Sequence, residues 1–260
     1  MRVNHTHQRL AAGKTVFGCA LQHYRSAEIP RALGAAGFDY VFIDMEHSGF
    51  DFETVQDMIA AAASSSITPI VRVGELLYSL VARLLDVGAQ GIIFPRVESP
   101  ELLAEAVSWT RFPPVGKRGF GMMAPVLDYE PATFPAIMEH QNTNTTVVVQ
   151  FETRVALERA DELLSIPGVD VAMIGPSDLS ISLGVPGQSE HPSLVDAVTK
   201  FIAHCREHGV VPGIHCRNAG QAKFWADRGM RFVGAGGEHG LLLEKAREVV
   251  SGLMNGAKQK

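Results

Sequence analysis

Residues 146–153 read Thr-Val-Val-Val-Gln-Phe-Glu-Thr, and residues 171–180 read Val-Ala-Met-Ile-Gly-Pro-Ser-Asp-Leu-Ser. Each stretch is a short apolar run that leads into a carboxylate, Glu152 in the first and Asp178 in the second. Apolar runs without polar alternation suit strands buried on both faces, as in a parallel sheet. Carboxylates just past the C-terminal ends of such strands lie where barrel enzymes place their chemistry. No His or Cys stands beside the pair, so it suits a hard divalent cation that keeps positions open for substrate, Mg or Mn rather than Zn.

The same pattern recurs along the chain. Strands are predicted at 15–20, 40–44, 69–73, 91–95, 146–152, 169–174, 211–216 and 232–235. Amphipathic stretches predict helices at 27–36, 52–63, 77–87, 100–110, 154–165, 192–208, 219–228 and 240–251. Eight alternating units argue for an α/β fold of the (β/α)8 TIM-barrel type, with a doubly wound sheet as the alternative. The chain's 260 residues, 46% hydrophobic and 20% charged, suffice for one such barrel domain spanning 1–260. The longest irregular segment, 111–135, contains Pro113, Pro114, Gly116, Gly119 and Gly121 and reads as an active-site loop.

Composition removes several classes of function. A formal charge of −5 without a basic stripe argues against nucleic acid as a partner and for small molecules. No run of 18 apolar residues suggests a membrane span, and the first residues lack a signal-peptide pattern, so the expected location is cytoplasmic. Cys19, Cys205 and Cys216 are odd in number and lack C-x-x-C spacing, which fits reduced thiols. None of the seven lysines stands at a predicted strand tip, so a Schiff base has no obvious nucleophile. Walker, zincin, serine-hydrolase and dinucleotide motifs are absent. His204 and His208 have the helical spacing of metal ligands but no third partner in sequence.

Other strand ends add to the two carboxylates. Asp44-Met45-Glu46-His47 closes the second strand, Arg72 lies in the third, Asp86 precedes the fourth and His215 lies in the seventh. With Gln150, Glu152 and Asp178 these are expected to converge on one mouth. A metal, a guanidinium and an imidazole there would bind and polarise an anionic oxo substrate. Structural roles compete with the functional ones. Asp178 could cap a helix, His47 could cap a turn, Arg72 could pair with Asp44 or Glu46, and His215 could be a core histidine bonded to a loop.

Taken in order, Ile43-Asp44-Met45-Glu46-His47, Leu85-Asp86-Val87-Gly88-Ala89-Gln90-Gly91, Arg118-Gly119, Gln150-Phe151-Glu152-Thr153 and Gly175-Pro176-Ser177-Asp178-Leu179-Ser180 resemble the HpcH/HpaI aldolases. The resemblance runs from about residue 18 to about residue 243. It implies a metal-dependent class II pyruvate aldolase on a barrel of the pyruvate-kinase/phosphoenolpyruvate superfamily type. It also implies a homo-oligomer built from dimers, possibly a hexamer, whose subunits exchange the eighth helix.

Carried over residue by residue, the resemblance implies that Glu152 and Asp178 hold the divalent metal, Mg, Mn or Co. Arg72 and Gln150 contact the pyruvate portion, amides around Gly175, Pro176 and Ser177 bind its carboxylate, and His47 paired with Asp86 is the acid/base dyad. The implied reaction is reversible cleavage of a 4-hydroxy-2-oxo acid to pyruvate and an aldehyde. Oxaloacetate decarboxylation, macrophomate synthase-like bond formation and a non-catalytic acid-binding barrel are the alternatives. Three places depart from the family pattern: Met45 stands where a glycine is expected, the stretch 122–125 is compact, and His215 stands where an aliphatic residue is commoner. His215 would make the aldehyde pocket more polar.

Overall fold

The computed structural model describes residues 1–121 and 124–257; Met122 and Met123 of the compact stretch, and residues 258–260 of the polar tail, lie outside them. Eight parallel strands close into a barrel in chain order: β1 Val16–Leu21, β2 Tyr40–Asp44, β3 Thr68–Arg72, β4 Gly91–Phe94, β5 Thr146–Phe151, β6 Val171–Ile174, β7 Val211–Cys216 and β8 Phe232–Gly237. Because β1 pairs with β8, the doubly wound alternative is excluded.

The helices before β5 are α1 His5–Ala11, α2 Glu28–Ala35, α3 Phe52–Ala63, α4 Tyr78–Asp86, α5 Pro100–Ser108 and α6 Phe134–Asn144. After β5 come α7 Arg154–Glu158, α8 Ala160–Leu164, α9 Pro176–Ser182, α10 Pro192–Glu207, α11 Ala219–Ala226 and α12 Glu238–Ala257. The predicted helix 154–165 is divided at Arg159, whose ψ of 19° leaves the helical range.

Alternation along each strand separates two apolar layers. Inward residues, among them Val16, Tyr40, Phe42, Ile70, Ile93, Val148, Met173 and Phe232, fill the barrel. Outward residues such as Val41, Val71, Ile92, Val149 and Ile214 pack under the helices. This double burial explains why the strands read as continuous apolar runs. Gly18 makes room for Tyr40: a Cβ at that position would sit 2.2 Å from the tyrosine ring.

The N-terminal helix α1 plugs the end of the barrel opposite the strand tips. Its cap, Asn4, is fully buried and donates from Nδ2 to Gln90 O, Asn144 O and Thr146 Oγ1 at 2.8, 2.8 and 3.0 Å. Thr6 completes the plug by donating from Oγ1 to Asp39 O at 3.1 Å and bonding Thr68 Oγ1 at 2.8 Å. These polar side chains satisfy backbone carbonyls where chain segments enter the barrel.

The described residues of 111–135, expected to form an active-site loop, lie at the plugged end of their own barrel rather than at its mouth. A helix that follows a strand runs back toward the plugged end, and α5 delivers this segment there. Buried Arg118 donates to Asp86 Oδ1 at 2.8 Å at the last turn of α4, and the Phe112 amide donates to Asn142 on α6 at 2.7 Å. Among the described residues no helix is long and apolar enough to cross a membrane.

Candidate active site

The strand register places the site's central ion pair. Asp44 and Arg72 are the terminal residues of β2 and β3 and pair directly across the ladder. Arg72 donates from Nε to Asp44 Oδ1 at 3.0 Å and from Nη2 to Oδ2 at 2.6 Å, a two-pronged clamp in which Asp44 is fully buried. Burial alone raises the Asp44 carboxyl, but Arg72 and Gln22 outweigh it and hold it below the usual carboxylate range. Arg72 Nη1 reaches Gln150 Oε1 at 3.3 Å and Glu46 Oε2 at 3.1 Å. Three side chains, Asp44 and Glu46 from the end of β2 and Gln150 from β5, thus fix the guanidinium at the mouth, so its pairing with Asp44 and Glu46 is also how it is aimed.

Glu152 is 2% exposed, and both of its oxygens are engaged. Oε1 accepts the Arg96 amide at 2.8 Å, and Oε2 accepts Gln150 Nε2 at 2.6 Å. Arg96 follows β4 with φ of 52°, a left-handed conformation unusual for a side-chain-bearing residue, and that conformation carries the amide aimed at Glu152. Burial first, then Glu46 and Asp178, raise the Glu152 carboxyl above its usual range. Gly175 has no alternative here, because a Cβ would lie 2.7 Å from Gln150 Nε2 and 2.9 Å from Glu152 Oε2.

Asp178 lies in the first turn of α9, whose cap position is Gly175, so it is not an N-cap. Its charge reaches Glu152 strongly enough to raise that carboxyl. Glu46 adds a third carboxylate, whose buried Oε2 is paired with Arg72 Nη1 at 3.1 Å. With Asp44, four carboxylates gather around the single guanidinium of Arg72, and that excess of negative charge fits a divalent cation.

His47 stands at the rim, its side chain 57% exposed, and the nearest carboxylate to its ring is Glu46, with Nε2 to Oε2 3.8 Å. Asp44 Oδ1 anchors its backbone by accepting the Glu46 and His47 amides at 2.9 and 3.2 Å. The expected His47–Asp86 dyad is not formed within the chain. Asp86 ends α4 at the plugged end, where it is engaged by Arg118, because a residue preceding a barrel strand belongs to the face opposite the tips.

His215 is also displaced from its expected place in an aldehyde pocket. Its ring lies half-buried inside the barrel, edge-on to Phe42 at 5.5 Å, and Nε2 meets Gly236 O at 3.1 Å. Burial lowers its pKa to about 4, so it is a neutral core histidine under the site. Phe42 carries Arg72 on the same ring, 4.9 Å from its centroid. His204 and His208 do find a third partner, Asp161, which bonds both rings at 2.9 and 3.1 Å in a surface cluster between α8 and the C-terminal end of α10.

Sequence reading overlooked Gln22 and the Arg96 amide. Gln22 Nε2 donates to Asp44 Oδ2 at 2.7 Å. Its position just past β1 is the one signal that could have found it. A cavity of about 430 Å³ lined by Ser177, Leu194, Val198, Ile214, Arg217 and Trp225 opens between α9, α10 and α11, outside the barrel.

Fold and mouth together define a TIM-barrel enzyme. Residues 23–244 match the model of the HpcH/HpaI aldolase/citrate lyase family. The chain is 34% identical over 251 residues to the hydroxypyruvate/pyruvate aldolase of Roseobacter denitrificans, covering 93% of this chain and 94% of that one. It is 35% identical over 245 residues to the 4-hydroxy-2-oxo-heptane-1,7-dioate aldolase of Escherichia coli, covering 93% and 92%. The crystal structure of an HpcH/HpaI aldolase from Desulfitobacterium hafniense DCB-2 superposes with a TM-score of 0.90 at 31% identity, covering 95% of both chains. The chain belongs to the HpcH/HpaI aldolase/citrate lyase family and is an enzyme of carbon–carbon lyase chemistry.

Proposed function

We propose that the chain is a class II aldolase that reversibly cleaves a 4-hydroxy-2-oxo acid to pyruvate and an aldehyde. The observation that carries this reading is the mouth itself, where a rigidly held Arg72 faces Glu152 and Asp178 across Gln150. Glu152 and Asp178 would hold the divalent cation, Mg, Mn or Co, which when bound supplies Lewis-acid polarisation of a keto group. Gln150, locked between Arg72 and Glu152, sets the spacing of guanidinium and carboxylate. Arg72 stabilises negative charge developing on the oxygen of a pyruvate enolate. The Ser177 and Asp178 amides, free at the first turn of α9, are suited to the substrate carboxylate; Pro176 has no N–H to offer.

His47 would move the proton of the 4-hydroxyl group, with Glu46 rather than Asp86 as the carboxylate beside its ring. His47→Ala is expected to slow aldol cleavage by about 10²-fold while leaving oxaloacetate decarboxylation, which has no hydroxyl to deprotonate, nearly intact. Parallel kinetics of the two reactions check this, and equal losses would remove His47 from that role. The founding experiment is a screen of pyruvate with a panel of aldehydes under Mg, Mn and Co. Pyruvate release from oxaloacetate with no aldehyde reaction would favour a decarboxylase instead.

We also propose assembly through α12. Leu242, Leu253 and Met254 on this terminal helix are 57, 70 and 63% exposed, while Phe17 on the outer face of β1 is left 43% exposed by its own chain. Apolar surface of this extent on both elements fits exchange of α12 with a second copy. Light scattering at micromolar concentration should give a dimer or a multiple of it, and a stable monomer would refute the exchange. The buried thiols of Cys19, Cys205 and Cys216, each pushed up to about 12 by burial, suit a reducing cytoplasm.

A further inference from the structure

One buried carboxylate is not used by the chemistry above. Glu238, the first residue of α12, is 5% exposed. Its Oε1 accepts three consecutive backbone N–H groups, from Gln22 at 2.9 Å, His23 at 2.6 Å and Tyr24 at 3.1 Å. These residues form the turn that leaves β1, and one oxygen atom gathers all three amides. Oε2 is buried and has no hydrogen-bond partner, so the side chain's whole hold is on this turn.

The turn in turn holds the site. Gln22 Nε2 donates to Asp44 Oδ2 at 2.7 Å, the same oxygen that accepts Arg72 Nη2 at 2.6 Å. Two donors on one oxygen fix the rotation of the carboxylate. Its other oxygen is thereby set to receive Arg72 Nε and the amides of Glu46 and His47. An unbroken run of hydrogen bonds therefore leads from the base of α12 to the guanidinium at the mouth.

We infer that Glu238 is a positioning residue for Arg72: it shapes the β1–α2 turn so that Gln22 seats Asp44, and Asp44 aims the guanidinium. The inference rests on the reading of Arg72 as the group that stabilises enolate charge, although the hydrogen bonds themselves do not. Because Glu238 begins α12, displacement of that helix reaches Arg72 by the same route. Outer partners that orient a charged group typically matter by about 10- to 100-fold in activity.

The test compares Glu238→Ala, Glu238→Gln, Gln22→Ala and the double variant Glu238→Ala/Gln22→Ala in the full-length protein. Hydrogen exchange by mass spectrometry reads the amides of residues 22–24 and of Glu46 and His47, and exchange of pyruvate methyl protons reads kcat and KM. Glu238→Ala should free both sets of amides and lower kcat by about 10-fold with a smaller change in KM. Gln22→Ala should free the 46–47 amides and lower kcat similarly, and the double variant should be no worse than either alone. Glu238→Gln, which keeps an acceptor oxygen, should recover most of the loss. If Glu238→Ala frees only residues 22–24, and activity per folded molecule stays at the wild-type level, the inference is overturned. Should that variant fail to fold, protected 46–47 amides with full kcat in Gln22→Ala overturn it equally. A wild-type protein inert toward pyruvate would refute the aldolase reading, while the 46–47 amides would still decide the positioning role.

Discussion

Arg72→Ala is expected to slow aldol cleavage and oxaloacetate decarboxylation together, by about 10²-fold or more, the usual scale for removing one donor to a developing oxyanion. Both reactions pass through a pyruvate enolate, so a group that stabilises it cannot affect one and spare the other. The substitution also strands Asp44, which is fully buried and takes two of its bonds from Arg72. An uncompensated buried charge costs roughly 3–5 kcal/mol, so urea or thermal unfolding should show a clear loss of stability. The pH dependence follows from the sign of the Asp44 shift. Its folded pKa is depressed, so in wild type the pair's contribution is present above the ordinary carboxylate range and is lost as pH falls through the depressed value. In the variant the burial effect is left without its main opponent, and that acid-side loss should weaken or reverse. Arg72→Lys keeps a charge but not the two-pronged geometry, and should remain well below wild type. A loss confined to one of the two reactions would exclude Arg72 as the enolate-stabilising group.

The strands were legible because burial on both faces leaves no polar residues to interrupt them. Val147, Val148 and Val149 are all fully buried, alternately under the helices and inside the barrel. Closure into a barrel follows from eight such runs separated by helix-length spacers. The helices α1, α6 and α9 were not legible. α1 and α9 have only seven residues each and α6 is weakly amphipathic, so neither length nor periodicity marks them; α1 is instead held by tertiary contacts through Asn4, whose partners lie 86 to 142 residues away. Residues beyond strand ends, such as Glu152 and Asp178, could be assigned to the mouth because strand polarity alone decides that. Asp86 could not, since it sits beside a strand's beginning and the same polarity sends it to the plugged end. His215 shows a different limit: it faces inward as its strand position requires, but depth within the barrel depends on the shear between strands. Gln22 and Glu238 are visible only through hydrogen bonds that cross more than 20 residues and the barrel's closing seam.

Removing the divalent cation should abolish activity by about 10³-fold or more, because Lewis-acid stabilisation worth several kcal/mol is lost with it. Chelation followed by addition of Mg, Mn or Co should restore the rate, and Asp178→Ala should bind metal far more weakly. The raised Glu152 carboxyl supplies an independent readout that needs no substrate. Its folded pKa lies above its unfolded one, so the metal-free folded protein binds more protons across that interval and stability falls as pH rises through it. A bound cation reverses the balance by favouring the ionised form. At 100 times its dissociation constant it adds about 2.7 kcal/mol, or roughly 5–10 °C in Tm for a chain of this length. Glu152→Gln should erase both the pH slope and the metal-induced shift. It carries a local cost as well, since an amide nitrogen in place of Oε2 would face Gln150 Nε2, and turning Gln150 over would present its amine to Arg72. Asp178→Asn avoids that conflict and should lose the metal-induced shift while keeping most of the metal-free stability. Calorimetry across pH with and without the cation separates these outcomes. Full activity in rigorously chelated enzyme, or a Tm indifferent to the cation in wild type, would show that Glu152 and Asp178 hold no catalytic metal.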